Sequence, residues 1–187
     1  MYKKAPFFLL LFFNILFTTI SHSQKKEFNN KKDSVLTRFY NLVNTNPNKA
    51  IVLADSLELF PSIIKADKLK FYSSLGLSYN YLNNYSQAFI YFNKSLEEAK
   101  KIKAYSEAGL IHTDISNIFL ELNDTISFNK HLDLALDFYK KSNNNEGVLD
   151  VIQSKAFMEL NYENYRKSNI ILHKYQNDFK KSSSLFR

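Results

Sequence analysis

The sequence predicts an all-α protein, arranged as an α-solenoid of about four antiparallel helix pairs. Only three glycines and three prolines occur among 187 residues, so few positions would interrupt a helix. Apolar residues recur three and four positions apart, the spacing that places them on one helical face. One set of residue types also returns along the chain at a nearly constant interval, which is typical of stacked helix pairs.

Composition excludes several classes of site. The chain has no cysteine, which rules out disulfides, thiolate catalysis, thiolate-bound metal and lipidation of cysteine. Its apolar fraction of 45% is enough for a domain with a substantial core. The formal net charge of +7 is spread along the chain, so we interpret it as a solvated surface and expect no nucleic-acid partner.

The N-terminus predicts a secretory signal peptide over residues 1–23. Lys3 and Lys4 precede an apolar run over 6–20, and small residues lead to a cleavage point near Ser23. The alternative is an uncleaved membrane anchor, but this run is short of the ~20 residues that span a bilayer. We therefore expect an exported protein, periplasmic or secreted.

The first half of the repeat unit combines a small residue with apolar residues and ends before a polar turn. Small residues such as Gly76 stand where a neighbouring helix must come close. The intervals between successive units, taken as differences between the numbers of matched positions, are 39, 40 and 38. The matched sets are Leu36, Thr37, Tyr40, Val43 and Asn44; Leu75, Gly76, Tyr79, Leu82 and Asn83; Ile115, Ser116, Phe119, Leu122 and Asn123; and Ser154, Phe157, Leu160 and Asn161.

The second half of the unit ends in a lysine pair, because cations favour the negative end of a helix dipole. The first unit matches more weakly, with Pro47 suited to the first turn of its second helix. In the last unit we expect a turn longer by two residues, since LNYENY stands where LNNY and LNDT stood. The matched sets are Ala50, Ala54 and Leu57; Ala88, Phe92, Ser95, Lys100 and Lys101; Phe128, Leu132, Ala135, Lys140 and Lys141; and Ser168, Leu172, Tyr175, Lys180 and Lys181.

These halves predict four helix pairs within a repeat domain over 33–181, between a charged leader over 24–32 and a tail over 182–187. Each predicted helix presents one apolar face to its neighbours. The first helices are predicted over 33–44, 66–82, 104–122 and 146–160, and the second helices over 47–59, 85–101, 125–142 and 163–181.

The repeat resembles the tetratricopeptide repeat family over residues 33–181, which implies a right-handed superhelix. Two departures are Phe128, where the family has a small Ala, and lysines where a proline often closes the unit. The period also exceeds the usual ~34 residues, and HEAT repeats are an alternative with similar periods. The residues that carry the resemblance are Tyr72, Leu75, Gly76, Tyr79, Ala88, Phe92 and Ser95.

The resemblance implies a concave groove, lined by the first helices, that holds a peptide or helix of a partner protein. The implied lining mixes charges and includes Leu and Met. It lacks the lysine and arginine cluster with which some relatives clamp a C-terminal carboxylate, so an extended or helical segment fits better than an acidic tail. The implied groove residues are Arg38, Asn41, Ser73, Leu77, Asn80, Tyr81, Asn117, Leu120, Glu121, Lys155 and Met158.

The sequence contains no recognisable catalytic or metal-binding pattern. His112 and His131 do not belong to an HExxH motif, and the isolated glycines cannot form a phosphate-binding loop. We interpret His112 as a partly buried packing residue, because other units have Tyr72 or Asp150 at the matching place. We expect no enzyme activity, no cofactor and no metal.

Two functions remain open from the sequence. The first is an exported scaffold or adaptor that binds a partner protein and has no catalytic activity. The second is the periplasmic sensor region, as a fragment, of a repeat-containing two-component or transcriptional regulator. The final helix is apolar on more than one face, so we expect self-association through the C-terminal helix pair, or continuation into further repeats.

Overall fold

The computed structural model describes residues 34–58, 64, 67–161 and 163–184, and throughout these ranges the chain is helix or connecting turn, with no strand. The predicted signal peptide and charged leader lie outside the described residues. The chain divides into two compact units, Met1–Ala66 and Asp67–Arg187. Among the helices described here, none is both long and apolar enough to cross a membrane.

Within residues 34–58, the first unit forms a helix pair joined by a single residue. Helix α1 covers residues 34–45 and α2 covers Pro47–Glu58. Between them, the Asn46 side chain accepts a hydrogen bond from the Lys49 N–H at 3.1 Å, which satisfies a free donor of the first turn of α2. The buried residues of the pair are Leu36, Phe39, Val43, Ala50, Ala54 and Leu57.

The second unit contains three helix pairs, and the prediction of an all-α chain is confirmed for the described residues. Each bound agrees with the predicted one to within three positions. The lysine pairs stand in the last turns of α4 and α6, as expected from the helix dipole. The helices are α3 (Lys68–Tyr81), α4 (Tyr85–Ile102), α5 (Tyr105–Glu121), α6 (Thr125–Lys141), α7 (Asn145–Asn161) and α8 (Tyr165–Ser184).

The turns of the second unit recur at a constant interval. In each, one residue other than glycine adopts a left-handed conformation with φ between 55° and 58°. Its N–H bonds to the carbonyl three positions before, and the next N–H bonds to a carbonyl five positions before, which is the Schellman ending of a helix. Helices α4 to α7, each taken with the turn that follows it, therefore have the same combined length. The left-handed residues are Asn83, Lys103, Asn123, Asn143 and Glu163.

The predicted longer turn of the last unit is wrong. Glu163 follows Asn123 at the same interval as Asn123 follows Asn83, so the turn keeps its length. Helix α7 instead continues two positions further than the matched sequence set implied. The small residue equivalent to Gly76 is consequently Ala156, which is 3% exposed. Ser154, the predicted equivalent, is only half-buried.

Within the second unit, helices adjacent in sequence pack against one another, and α5 also contacts both α3 and α7. Close approach between helices depends on small residues. A Cβ atom on Gly76 would lie 2.7 Å from the Phe92 ring, so glycine is required where α3 crosses α4. Two core clusters fill the interfaces, one around Phe92 and Ile115, the other around Leu132 and Val151.

Candidate functional site

The predicted groove residues of the second unit, apart from those of α7, lie on α3 and α5, which contact one another. Tyr81 at the end of α3 is 52% exposed, while Ser73, Leu77 and Asn80 are half-buried. On α5, Asn117 and Glu121 are exposed and Leu120 is half-buried. We call this surface the first-helix face, defined by Ser73, Leu77, Asn80, Tyr81, Asn117, Leu120 and Glu121.

Arg38 and Asn41, the remaining N-terminal groove residues, belong to α1 in the first unit, and both side chains are exposed. Arg38 lines a small open hollow of about 380 Å³ with residues of α2 such as Val52, which is 68% exposed.

The two predicted groove residues of α7 occupy other places. Met158 is 6% exposed and belongs to the core cluster with Phe128 and Leu132, so its side chain faces the interior. Lys155 is half-buried and forms an ion pair with Asp133 of α6. Both predictions followed from the shortened interval that the sequence suggested for the last unit.

The constant interval assigns two other residues of α7 to the first-helix face. Phe157 is equivalent to Asn117 and Leu160 is equivalent to Leu120, and these apolar side chains are 59% and 41% exposed. The lysine pairs, which keep the constant interval in every unit that has them, were the sequence signal that could have found them. We include Phe157 and Leu160 in the first-helix face from here on.

A buried polar atom stands on this face without a partner. The Asn80 side-chain oxygen is buried and accepts no hydrogen bond from the described part of the protein. A buried acceptor left unpaired costs the folded state free energy. On the same face, Glu121 Oε2 accepts a hydrogen bond from the Tyr85 hydroxyl at 2.7 Å, which joins the start of α4 to the end of α5.

A polar cluster that the sequence did not predict lies where α5 meets α7. The Tyr139 ring passes between Gly109 and Gly147, where a Cβ on Gly109 would approach it to 2.8 Å. Burial raises the pKa of Tyr139, a hydrogen bond with Thr113 lowers it, and the charge of Asp114 raises it. Burial also raises the pKa of the Asp114 carboxyl to about 7.

Two histidines meet inside the α5–α6 interface. Their Nδ1 atoms are 3.1 Å apart, so the N–H of one ring donates a hydrogen bond to the nitrogen of the other. His112 stacks on Phe138 and His131 stacks on Phe119, with ring centroids 5.5 and 5.3 Å apart. Burial first, and the charge of His131 second, lower the pKa of His112 to about 4. Burial lowers the pKa of His131 as well.

The histidine pair replaces other side chains in the neighbouring helix pairs. One unit earlier the same places hold Tyr72 and Tyr91, and one unit later they hold Ile152 and Ile171. The Tyr72 and Tyr91 rings meet between the two helices of their unit, with centroids 6.3 Å apart, as the two histidine rings do in theirs, which is a packing role. Within the described part of the chain, no group of three or more His, Cys, Asp or Glu is placed to hold a metal ion.

Comparison with known proteins found no match, either among protein-family models or among curated proteins.

Proposed function

We propose that this chain is an exported, non-catalytic protein-interaction module, a scaffold or adaptor with a fold similar to tetratricopeptide repeats. The constant register, the five equal turns and the contacts of α5 with α3 and α7 support helix pairs stacked as an α-solenoid. In such a right-handed superhelix the first helices line the concave side. The first-helix face is then the partner-binding groove.

One observation carries the proposal: large apolar side chains are exposed near the C-terminal ends of two first helices, α3 and α7. Tyr81, Phe157 and Leu160 are 52%, 59% and 41% exposed although each belongs to a well-packed helix. Exposed apolar surface rimmed by polar residues is typical of protein-interaction sites. Aromatic side chains contribute a large share of binding free energy at such surfaces.

The chemistry of the face favours an apolar segment that also donates hydrogen bonds. Asn117 is exposed on the next first helix, and its side-chain amide can both donate and accept hydrogen bonds. The charged residue Glu121 already accepts from Tyr85, so it is a weak anchor for a cationic partner. An extended or helical segment with apolar side chains matches this arrangement.

The test is selection of binding peptides from a displayed library, followed by substitution of the face. We expect Tyr81→Ala with Phe157→Ala to weaken binding of the selected peptides about tenfold or more, as at interface hot spots. The matched control is Ile102→Ala with Ile126→Ala, since these residues are 69% and 82% exposed and lie outside the face. Peptides that are indifferent to the first pair and sensitive to the second would contradict the proposal.

A further inference from the structure

Two open grooves lie between the second helices of successive pairs. The first, about 440 Å³, runs over α5 between α4 and α6, and its floor includes Leu96, Ala108 and Phe138. The second, about 620 Å³, runs over α7 between α6 and α8, and its floor includes Leu136 and Val148. We call them the α4/α6 groove and the α6/α8 groove.

The two grooves are copies of one feature of the repeat. Six lining positions of the α4/α6 groove return one unit later in the α6/α8 groove. Two apolar floor residues are matched by apolar residues, Leu96 by Leu136 and Ala108 by Val148, whereas Asn145 replaces Tyr105 and Ile152 replaces His112. The matched positions are Leu96 and Leu136, Lys100 and Lys140, Lys103 and Asn143, Tyr105 and Asn145, Ala108 and Val148, and His112 and Ile152.

Lysines border both grooves. Lys100 and Lys103 line the first, and Lys140 and Lys174 line the second. These four ammonium groups form no ion pair within the part of the chain that the structure describes. The acidic residue at the second groove, Asp133, is already paired with Lys155. Each groove therefore combines an apolar floor with unpaired positive charge.

The grooves do not belong to the first-helix face. On α5 the groove residues Tyr105, Ala108 and His112 recur three and four positions apart, so they share one side of the helix. Asn117 stands about 140° away from His112 around the helix axis, at roughly 100° per residue. A segment bound in the grooves would leave the first-helix face free.

We propose that the α4/α6 and α6/α8 grooves together bind an acidic, amphipathic segment of a partner protein. Its apolar side chains would fill the two floors, and its carboxylates would face Lys100 and Lys140 at the equivalent positions. Because the two grooves lie on either side of α6, a segment of several helical turns would span both. This surface stands apart from the proposed function of the first-helix face and can be tested separately.

The probe is a fluorescein-labelled helical peptide of about four turns with Leu at positions i, i+3, i+4 and i+7 and Glu elsewhere, titrated into the purified protein. We expect saturable binding that weakens with salt. Lys100→Glu with Lys140→Glu should reduce affinity about tenfold, since two attractive charge contacts become repulsive. The control Lys130→Glu with Arg166→Glu changes the net charge equally at exposed sites outside the grooves and should leave affinity within about twofold.

Several outcomes would overturn the proposal. One is no binding of the acidic peptide at about 1 mM, the limit of a weak interaction. Another is an equal loss in the control variant, which would mean general charge attraction. Displacement of the peptide by laurate at equal concentration would assign the grooves to an anionic lipid. Circular dichroism checks that both variants remain folded, which we expect because all four residues are exposed.

Discussion

His112 and His131 hold their Nδ1 atoms 3.1 Å apart in the α5–α6 interface, closer than two imidazolium rings can approach without repulsion. His112 is 8% exposed, so water does little to screen a second proton. The pair is therefore stable in the neutral form, in which one ring donates and the other accepts.

We expect the histidine pair to make the folded protein less stable in mild acid. The pKa of His112 lies at about 4 in the folded chain, below its ordinary 6.5. The unfolded chain thus binds more protons between these values, and the free energy of unfolding falls as pH drops from about 6.5 to 4, by roughly 2–3 kcal/mol. Melting temperatures measured between pH 7.5 and pH 4 check this.

The control is a double variant that carries the residues of the next helix pair at the two histidine positions. His112→Ile with His131→Ile reproduces the isoleucines found one unit later, and it should flatten the acid-dependent part of the profile. Equal slopes for the wild type and the double variant would show that carboxylates elsewhere cause the acid sensitivity.

For Asp114 we expect the opposite dependence of stability on pH. Burial raises the pKa of its carboxyl from 3.8 to about 7, so ionisation costs the folded state stability as pH rises through this range. Asp114→Asn should therefore raise the free energy of unfolding by roughly 1–3 kcal/mol at pH 8 and little at pH 4. Urea titrations at both pH values measure the difference. Asp137→Asn, at an exposed site, is the control, and an equal effect there would contradict the assignment.

We expect position 147 to tolerate no side chain larger than that of glycine, because α6 and α7 come close together there. A Cβ atom there would meet the Tyr139 ring, so Gly147→Ala should cost about 1–3 kcal/mol of stability by overpacking. Tyr139→Ala, which copies Ala99 of the preceding pair, removes the obstacle. In a double-mutant cycle, the cost of Gly147→Ala should then shrink. Additive costs would mean that the ring does not limit the approach.

We expect self-association through the last helix pair, which contains Leu172. It is 42% exposed, whereas its equivalents Leu132 and Phe92 are fully buried among residues of the following first helix. Sedimentation velocity at about 100 μM, where weak interfaces become populated, should detect oligomers. Leu172→Asp should abolish them, and Ile126→Asp, at an 82% exposed site on α6, should not. A monomeric wild type would contradict this prediction.

Most of the fold follows from sequence periodicity, because helix faces and polar turns leave a strong pattern. The register of the last unit cannot be derived from this periodicity. Leu160 and Asn161 match the Leu-Asn ending of earlier units, but they stand two positions before the true equivalents of that ending. The left-handed residue of that turn is Glu163, whose type gives no turn signal. Because of this two-position error in the register, Lys155 is predicted to line the groove in place of Phe157. The core residue Met158 is predicted to line the groove as well.

The histidine pair and the polar cluster could not be predicted in the same way. Tyr72, His112 and Ile152 occupy equivalent places with dissimilar chemistry, so comparison of units gives no common role. The raised pKa of Asp114 depends on burial where α5 meets α7, which only the packed structure reveals. The two grooves likewise depend on the spacing between second helices.

A photo-crosslinking map shows whether a partner segment binds the first-helix face. A benzophenone side chain is introduced in place of Tyr81, of Phe157 or, as control, of Ile126, and each variant is irradiated with a selected peptide bound. We predict crosslinks from the first two positions, which are exposed on α3 and α7, and none from the third on α6. Crosslinks from Ile126 alone would contradict binding at this face.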